Sequence, residues 1–206
     1  MDYLSLLDIT GFVVGLFYLY FEYRASIYLW IASIIMPLVD MFLYYEAGLY
    51  ADFGMSVYYC LAAVYGWCAW KYSSNPPAHN GNGEAGVPEV KSEKPITHFP
   101  LRRVLPVSCV FAVVWVLIYF ILVEFTDSNV PVTDSFTTAL SVIAMWALAR
   151  KYVEQWLLWL VVDAVCTVLY VYKGIPFKAL IYGIYTLVAV AGYLKWKKMA
   201  SLSQPK

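Results

Sequence analysis

Apolar residues gather in seven long runs separated by short polar breaks, at roughly 6–23, 27–46, 52–71, 102–123, 134–150, 154–172 and 177–196. Each run is near the length that carries a helix across about 30 Å of hydrocarbon. Backbone groups in lipid have to be satisfied within the segment, and no run shows the ten-residue in–out alternation of a barrel strand. The pattern predicts an all-α membrane protein of seven transmembrane helices. The fifth run is short and rich in Thr and Ser, which leaves its ends loosely defined. Between the third and fourth runs, Ser73–Pro100 carries Pro76-Pro77, Asn80-Gly81-Asn82-Gly83 and mixed charge around Glu89–Lys94. Such a stretch cannot bury a core and reads as a mobile surface loop.

The chain repeats itself. Shifting it by 126 positions lays 8–71 on 134–197 without gaps and pairs Asp8 with Asp134, Arg24 with Arg150, Trp30 with Trp156 and Tyr44 with Tyr170. Gly48 meets Gly174, Tyr59 meets Tyr185, Ala63 meets Ala189, Gly66 meets Gly192, Trp70 meets Trp196 and Lys71 meets Lys197. With Val39, Leu43, Leu61 and Val64 and their partners, fourteen of sixty-four positions are identical, against roughly four or five expected by chance at this composition. Each copy holds three spans and one span separates them, so the copies enter the bilayer from the same side. That is the 3+1+3 parallel-repeat architecture, in which a substrate site lies between the halves near the midplane. The expected parts are a first repeat at 1–72, a flexible cytoplasmic loop at 73–100, a linker helix at 101–125, a second repeat at 126–198 and a cytoplasmic tail at 199–206.

Composition agrees with the bilayer as solvent. Apolar residues make up 62% of the 206 and charged residues 14%, against about 25% charged in soluble domains. Net charge is zero, so no basic field points to nucleic acid. Arg24, Lys71, Lys91, Lys94, Arg102, Arg103, Arg150, Lys151, Lys195, Lys197, Lys198 and Lys206 fall on one side of the predicted topology, and only Lys173 and Lys178 on the other. Positive loops stay in the cytoplasm, which puts the N-terminus outside and the C-terminus inside. Met1-Asp2-Tyr3 lacks a basic leader and is expected to enter the first span directly.

Candidate chemistry is sparse. Cys60, Cys68, Cys109 and Cys166 sit in apolar runs and read as small apolar fillers rather than a disulfide framework or a zinc site. His79 and His98 both lie in the polar loop. No nucleophile elbow, phosphate loop or HExxH occurs, no histidine lies in a span, and neither enzyme activity nor a cofactor or metal is expected. Asp163, by contrast, falls mid-span, where a charge costs about 2.5–3.5 kcal/mol and so faces protein or water. Trp156, Trp159, Asp163, Cys166 and Tyr170 share one helical stripe. A carboxylate framed by indoles suits a flat organic cation through charge pairing and cation–π contact; a protonated Asp bonded to a neighbouring helix is the structural alternative.

Other polar positions are less telling. Thr137, Ser141 and Met145 form a semi-polar stripe that back-bonding to their own helix explains almost as well as a pathway. Thr167, Tyr65, Tyr59, Tyr185 and Asp40 complete the candidate lining. Ala63–Gly66 and Ala189–Gly192 read as close helix packing, and Trp70 and Trp196 beside lysines as interface anchors. Glu22 reads as a solvated partner of Arg24 at the cytoplasmic edge, and Asp8 and Asp134 as helix caps.

Arg150-Lys151-Tyr152-Val153-Glu154-Gln155-Trp156-Leu157-Leu158-Trp159, preceded by Leu140-Ser141 and followed by Gly174, closely resembles the Pnu family of bacterial vitamin transporters. Tyr65-Gly66-Trp67-Cys68-Ala69-Trp70 resembles that family's third-span signature. The resemblance implies a fold similar to the SWEET sugar transporters, a homotrimer in the bacterial inner membrane, and facilitated diffusion made one-way by a cytoplasmic vitamin kinase. Ala63 and Asp163 stand where the nicotinamide riboside branch tends to carry Asn. That departure favours the thiamine-transporting branch, with nicotinamide riboside as the alternative substrate. A lipid-embedded enzyme and a structural subunit are disfavoured, the first by the missing catalytic groups and the second by the buried Asp–Trp stripe.

Overall fold

The computed structural model describes residues 14–46, 50–72, 94–126, 129–172 and 176–202. Seven helices run through them: α1 (14–23), α2 (Leu29–Glu46), α3 (Tyr50–Lys71), α4 (Val104–Phe125), α5 (Pro131–Ala149), α6 (Gln155–Tyr172) and α7 (Pro176–Leu202). Within the described residues, four of them (α4 with the short turn before it, α5, α6 and most of α7) are long and apolar enough by themselves to cross a membrane. The seventh helix runs six residues past the apolar run that predicts it.

Helix α5 is the central element. Ala, Ser and Thr dominate it, from Ser135 through Thr137, Ala139, Ser141 and Ala144 to Ala149, and these small residues let it pack against α3, α4 and α6 at once. Helix α4 is its opposite. None of its residues is buried, and Leu105, Val113, Leu117 and Phe120 face outward as lipid-facing residues should. It holds to α5 through a cluster of Phe111, Trp115 and Phe136, with the Trp115 indole donating to Ser135 Oγ at 3.1 Å.

Residues 126 positions apart occupy matching geometries. Trp30 fills the space where a side chain at Gly66 would sit, and Trp156 does the same at Gly192. Trp30 meets Trp70 edge-on at 5.5 Å, and Trp156 meets Trp196 edge-on at 5.9 Å. The turn after α1 places Ala25 at φ +53°, and the turn after α5 places Lys151 at φ +56°. Both turns close with the same helix-ending bond pair: Ser26 N to Phe21 O (2.9 Å) with Ala25 N to Glu22 O (2.9 Å), and Tyr152 N to Ala147 O (3.0 Å) with Lys151 N to Leu148 O (2.8 Å). A left-handed conformation at Ala and Lys costs about 1 kcal/mol, and burial of both residues fixes it.

Contacts across the halves match too. Trp70 Nε1 donates to Leu148 O at 3.3 Å where α3 crosses α5, and Trp196 Nε1 to Glu22 O at 3.2 Å where α7 crosses α1. Trp70 and Trp196 are therefore buried struts between elements, not the interface anchors that neighbouring lysines suggest. Around them Leu29, Trp30, Leu148, Val153 and Trp156 form the main core, gathered at the end of the bundle that carries the α1–α2 and α5–α6 turns.

The stretch 73–100, read from sequence as one flexible loop, divides. Residues 73–93, with His79, lie outside the described residues, whereas 94–100 is a strap docked on the α5–α6 turn. Thr97 bonds Lys151 O and Val153 N through its backbone (3.1 and 3.0 Å), and Ile96 is buried. His98 Nδ1 pairs with Glu154 Oε1 at 2.8 Å, and Phe99 N donates to Glu154 Oε2 at 2.7 Å. Lys94 Nζ donates to Ala149 O at 3.2 Å. Burial, then the cations of Arg150 and Lys151, lower the Lys94 pKa.

Candidate functional site

A cavity of about 970 Å³ lies among α1, α3, α4, α5, α6 and α7. It runs from Glu22, Trp156 and Ala189, next to the tryptophan core, to Gly54, Thr126, Asp134 and Tyr170 toward the other helix ends. The α6 stripe predicted from sequence lines it in full: Trp156, Trp159, Asp163, Cys166 and Tyr170. Asp163 is 7% exposed. Seven residues separate it from Trp156, about two helical turns, so the two indoles frame the side of the cavity between the carboxylate and the core.

The other candidates sort by position. Thr137 and Ser141 line the cavity, and their hydroxyls back-bond to Thr133 O (3.0 Å) and Thr137 O (2.9 Å). Tyr59 and Tyr185 line it from α3 and α7. Thr167 does not: its hydroxyl donates to Asp163 O at 2.7 Å and its methyl lies toward Gly183. Tyr65 is 45% exposed and lies outside the cavity. Thr167 and Tyr65 are thus removed from the set by helix rotation, which places each a step around from the lining stripe. The Asp40 side chain lies outside the described residues, as does Asp8. Asp134 lines the cavity from the first turn of α5, four positions after the N-cap at Val130, and is no cap. Cys109 is exposed on α4 rather than buried.

Sequence reasoning missed Glu22. Its side chain is 1% exposed and lines the cavity, while Arg24 turns away and donates to Tyr20 Oη at 2.9 Å. The proximity of Arg24 in sequence hides a helical signal: Gly15, Tyr18 and Glu22 follow one another at i, i+3 and i+7, and all three line the cavity. Tyr182 was missed as well; it stacks on Tyr170 with ring centroids 5.3 Å apart.

A helical membrane bundle enclosing a large cavity lined by indoles, phenols and buried carboxyls defines a small-molecule transporter of the multi-pass class. The family model for nicotinamide mononucleotide transporters matches residues 5–198, and the chain belongs to that family, the Pnu vitamin transporters. The nicotinamide riboside transporter PnuC of Escherichia coli is similar at 23% identity, over 94% of this chain and 85% of its own length. The riboflavin/roseoflavin transporter RibM of Streptomyces davaonensis is similar at 25% identity, over 92% of this chain and 83% of its own. The crystal structure of the vitamin B3 transporter PnuC shares the fold, with a TM-score of 0.67 at 22% identity over 93% of this chain and 80% of that one. The relatives' names do not support thiamine; the preference drawn from Ala63 and Asp163 weighed two missing amides and an added charge, and nicotinamide riboside, also a cation, answers to the charge equally.

Proposed function

We propose that this protein carries a cationic vitamin of the nicotinamide riboside kind across the bacterial inner membrane by facilitated diffusion, with phosphorylation by a cytoplasmic kinase retaining it. The observation that carries this reading is Asp163, an acid buried mid-span inside the cavity with Trp156 and Trp159 beside it. A pyridinium ring seated on indole faces gains cation–π attraction, and the carboxylate supplies the counter-charge. A neutral flavin makes no use of that charge, so the acid favours the riboside over the riboflavin reading.

The helices form a 3+1+3 arrangement in this proposal, with α4 as the linker and the site between the halves, as in the SWEET fold. The matched Trp–Gly packings and the matched turns support it. In this proposal the tryptophan core lies at the cytoplasmic side, a placement the Lys/Arg bias supports. The homotrimer implied by the resemblance belongs to the proposal too, and the outward apolar residues of α4 offer a surface for it.

Titration of the purified protein with nicotinamide riboside, thiamine and riboflavin tests the substrate. Nicotinamide riboside is expected to bind tightest, and Asp163→Ala, which removes both the charge and the hydrogen-bonding group, to weaken it by roughly thirtyfold or more, as loss of a desolvated charge partner does. Tighter thiamine binding, or an unchanged riboside affinity in a monodisperse Asp163→Ala protein, would overturn the reading.

A further inference from the structure

The cavity contains a second buried acid that the counter-charge reading does not use. Glu22 comes from α1, lines the cavity wall beside Trp156, and has no ion-pair partner among the described residues. Its Oε1 has no hydrogen-bond partner. Next to it lie Tyr18 and Gln155, both near enough to interact with the carboxyl; Gln155 is 0% exposed, and neither its amide oxygen nor its nitrogen makes a hydrogen bond of ordinary geometry. The indole nitrogens of Trp156 and Trp159 are unpartnered as well. Buried polar groups normally find partners, and each orphan costs about 1–3 kcal/mol. Three such atoms, Glu22 Oε1 and the two indole Nε1, belong to residues that line one side of the cavity, next to the core, and Gln155 sits behind Glu22 without lining it. Packing does not require the polar groups of Glu22 and Gln155: the matching positions are Leu148 and Leu29, both fully buried, whereas the unpartnered indole of Trp156 is matched by that of Trp30.

The set has a definite chemistry. The Glu22 carboxyl accepts, and donates as well when protonated; the indoles donate only, and the Gln155 amide does both. Hydroxyls are the complement, because each donates one bond and accepts others. A carboxylate facing vicinal hydroxyls is also how dinucleotide-binding folds hold a ribose. Asp163 lies about two turns further along α6, near enough to Glu22 to interact electrostatically. A substrate with a cationic ring at Asp163 and a polyhydroxylated group toward the core would satisfy both ends. We infer that Glu22, with Gln155 behind it, forms a hydroxyl-recognising subsite at the core end of the cavity, distinct from the cation subsite at Asp163. The inference rests on the proposed function for its cationic half but not for its hydroxyl half, since both nicotinamide riboside and riboflavin carry a hydroxylated chain beside a flat ring.

The test uses the full-length purified protein, its Glu22→Gln and Gln155→Leu variants, and three probes. These are nicotinamide riboside, N-methylnicotinamide (the same cationic ring without the sugar) and riboflavin. Both variants are expected to lose about ten- to hundredfold in affinity for nicotinamide riboside, as loss of hydrogen bonds to a charged group does, and to bind N-methylnicotinamide like the parent. Asp163→Ala is expected to weaken both nicotinamide probes. Equal losses for the two nicotinamide probes in the Glu22 and Gln155 variants would make these residues structural and overturn the subsite, as would unchanged riboside affinity in well-folded variants. If the parent binds riboflavin and not the riboside, the proposed substrate falls; the subsite then stands if Glu22→Gln weakens riboflavin, and falls if it does not. A parent that binds neither overturns both.

Discussion

Trp196 donates its indole N–H to the backbone carbonyl of Glu22 at 3.2 Å, and so ties the end of α7 to the end of α1 across 174 residues of chain. Trp70 and Leu148 repeat the bond at 3.3 Å. In each case the carbonyl also accepts from the left-handed residue that ends the helix, Ala25 or Lys151. The two halves are thus clasped twice by one device, beside the cavity floor.

Trp70→Phe and Trp196→Phe are each expected to lower stability by more than about 1 kcal/mol, the net worth of one hydrogen bond, because the smaller ring also leaves a cavity in the core. Each carbonyl keeps its second donor, so no acceptor is orphaned. Thermal unfolding in detergent measures it, and a large loss from one variant with none from the other would contradict the equivalence of the two clasps.

Gly66→Ala and Gly192→Ala separate packing from binding. A Cβ at Gly66 would lie 2.1 Å from the Trp30 ring, and one at Gly192 would lie 2.6 Å from the Trp156 ring. Both variants are expected to destabilise by about 1–3 kcal/mol or more through overpacking. Only Trp156 lines the main cavity, so Gly192→Ala is also expected to weaken substrate binding, while folded Gly66→Ala protein binds as the parent does. Equal binding losses in the two would contradict the placement of Trp156.

Glu154 holds the strap at two points, His98 and Phe99 N. Glu154→Ala is expected to raise hydrogen exchange at 96–99 with little change in α5 and α6. The carboxylate is about one-third exposed, so the effect on global stability stays within about 1 kcal/mol. Unchanged protection of the strap would show that Thr97 and Ile96 hold it alone.

A reporter fused at the C-terminus and active only in the cytoplasm is expected to give signal, and one at the N-terminus is not. The twelve-to-two distribution of Lys and Arg motivates this. The reverse pattern would place the tryptophan core on the outer side.

In proteoliposomes, labelled vitamin is expected to equilibrate without accumulating. The family resemblance motivates this; three acids, Glu22, Asp163 and Asp134, line the cavity, so a proton-driven carrier is the alternative that the measurement separates. Uphill uptake driven by a proton or sodium gradient would turn Asp163 or Glu22 into a coupling group.

The helical membrane class was legible in the sequence, because run length and apolar content answer directly to bilayer thickness and backbone hydrogen bonding. So was the α6 stripe from Trp156 to Tyr170, since five positions at helical spacing share a face whatever surrounds them. Tertiary structure decided which faces turn inward. Tyr65 and Thr167 lie on helices that border the cavity yet point elsewhere, and Glu22, which its neighbour Arg24 makes look solvated, is sealed against Gln155 and Trp156. Structure alone also showed that Trp70 and Trp196 are struts, because their partners, the carbonyls of Leu148 and Glu22, are backbone atoms. A backbone carbonyl carries no side-chain identity, so positions 22 and 148 could diverge to Glu and Leu, one for the cavity and one for the core, while the bond between the halves stayed the same.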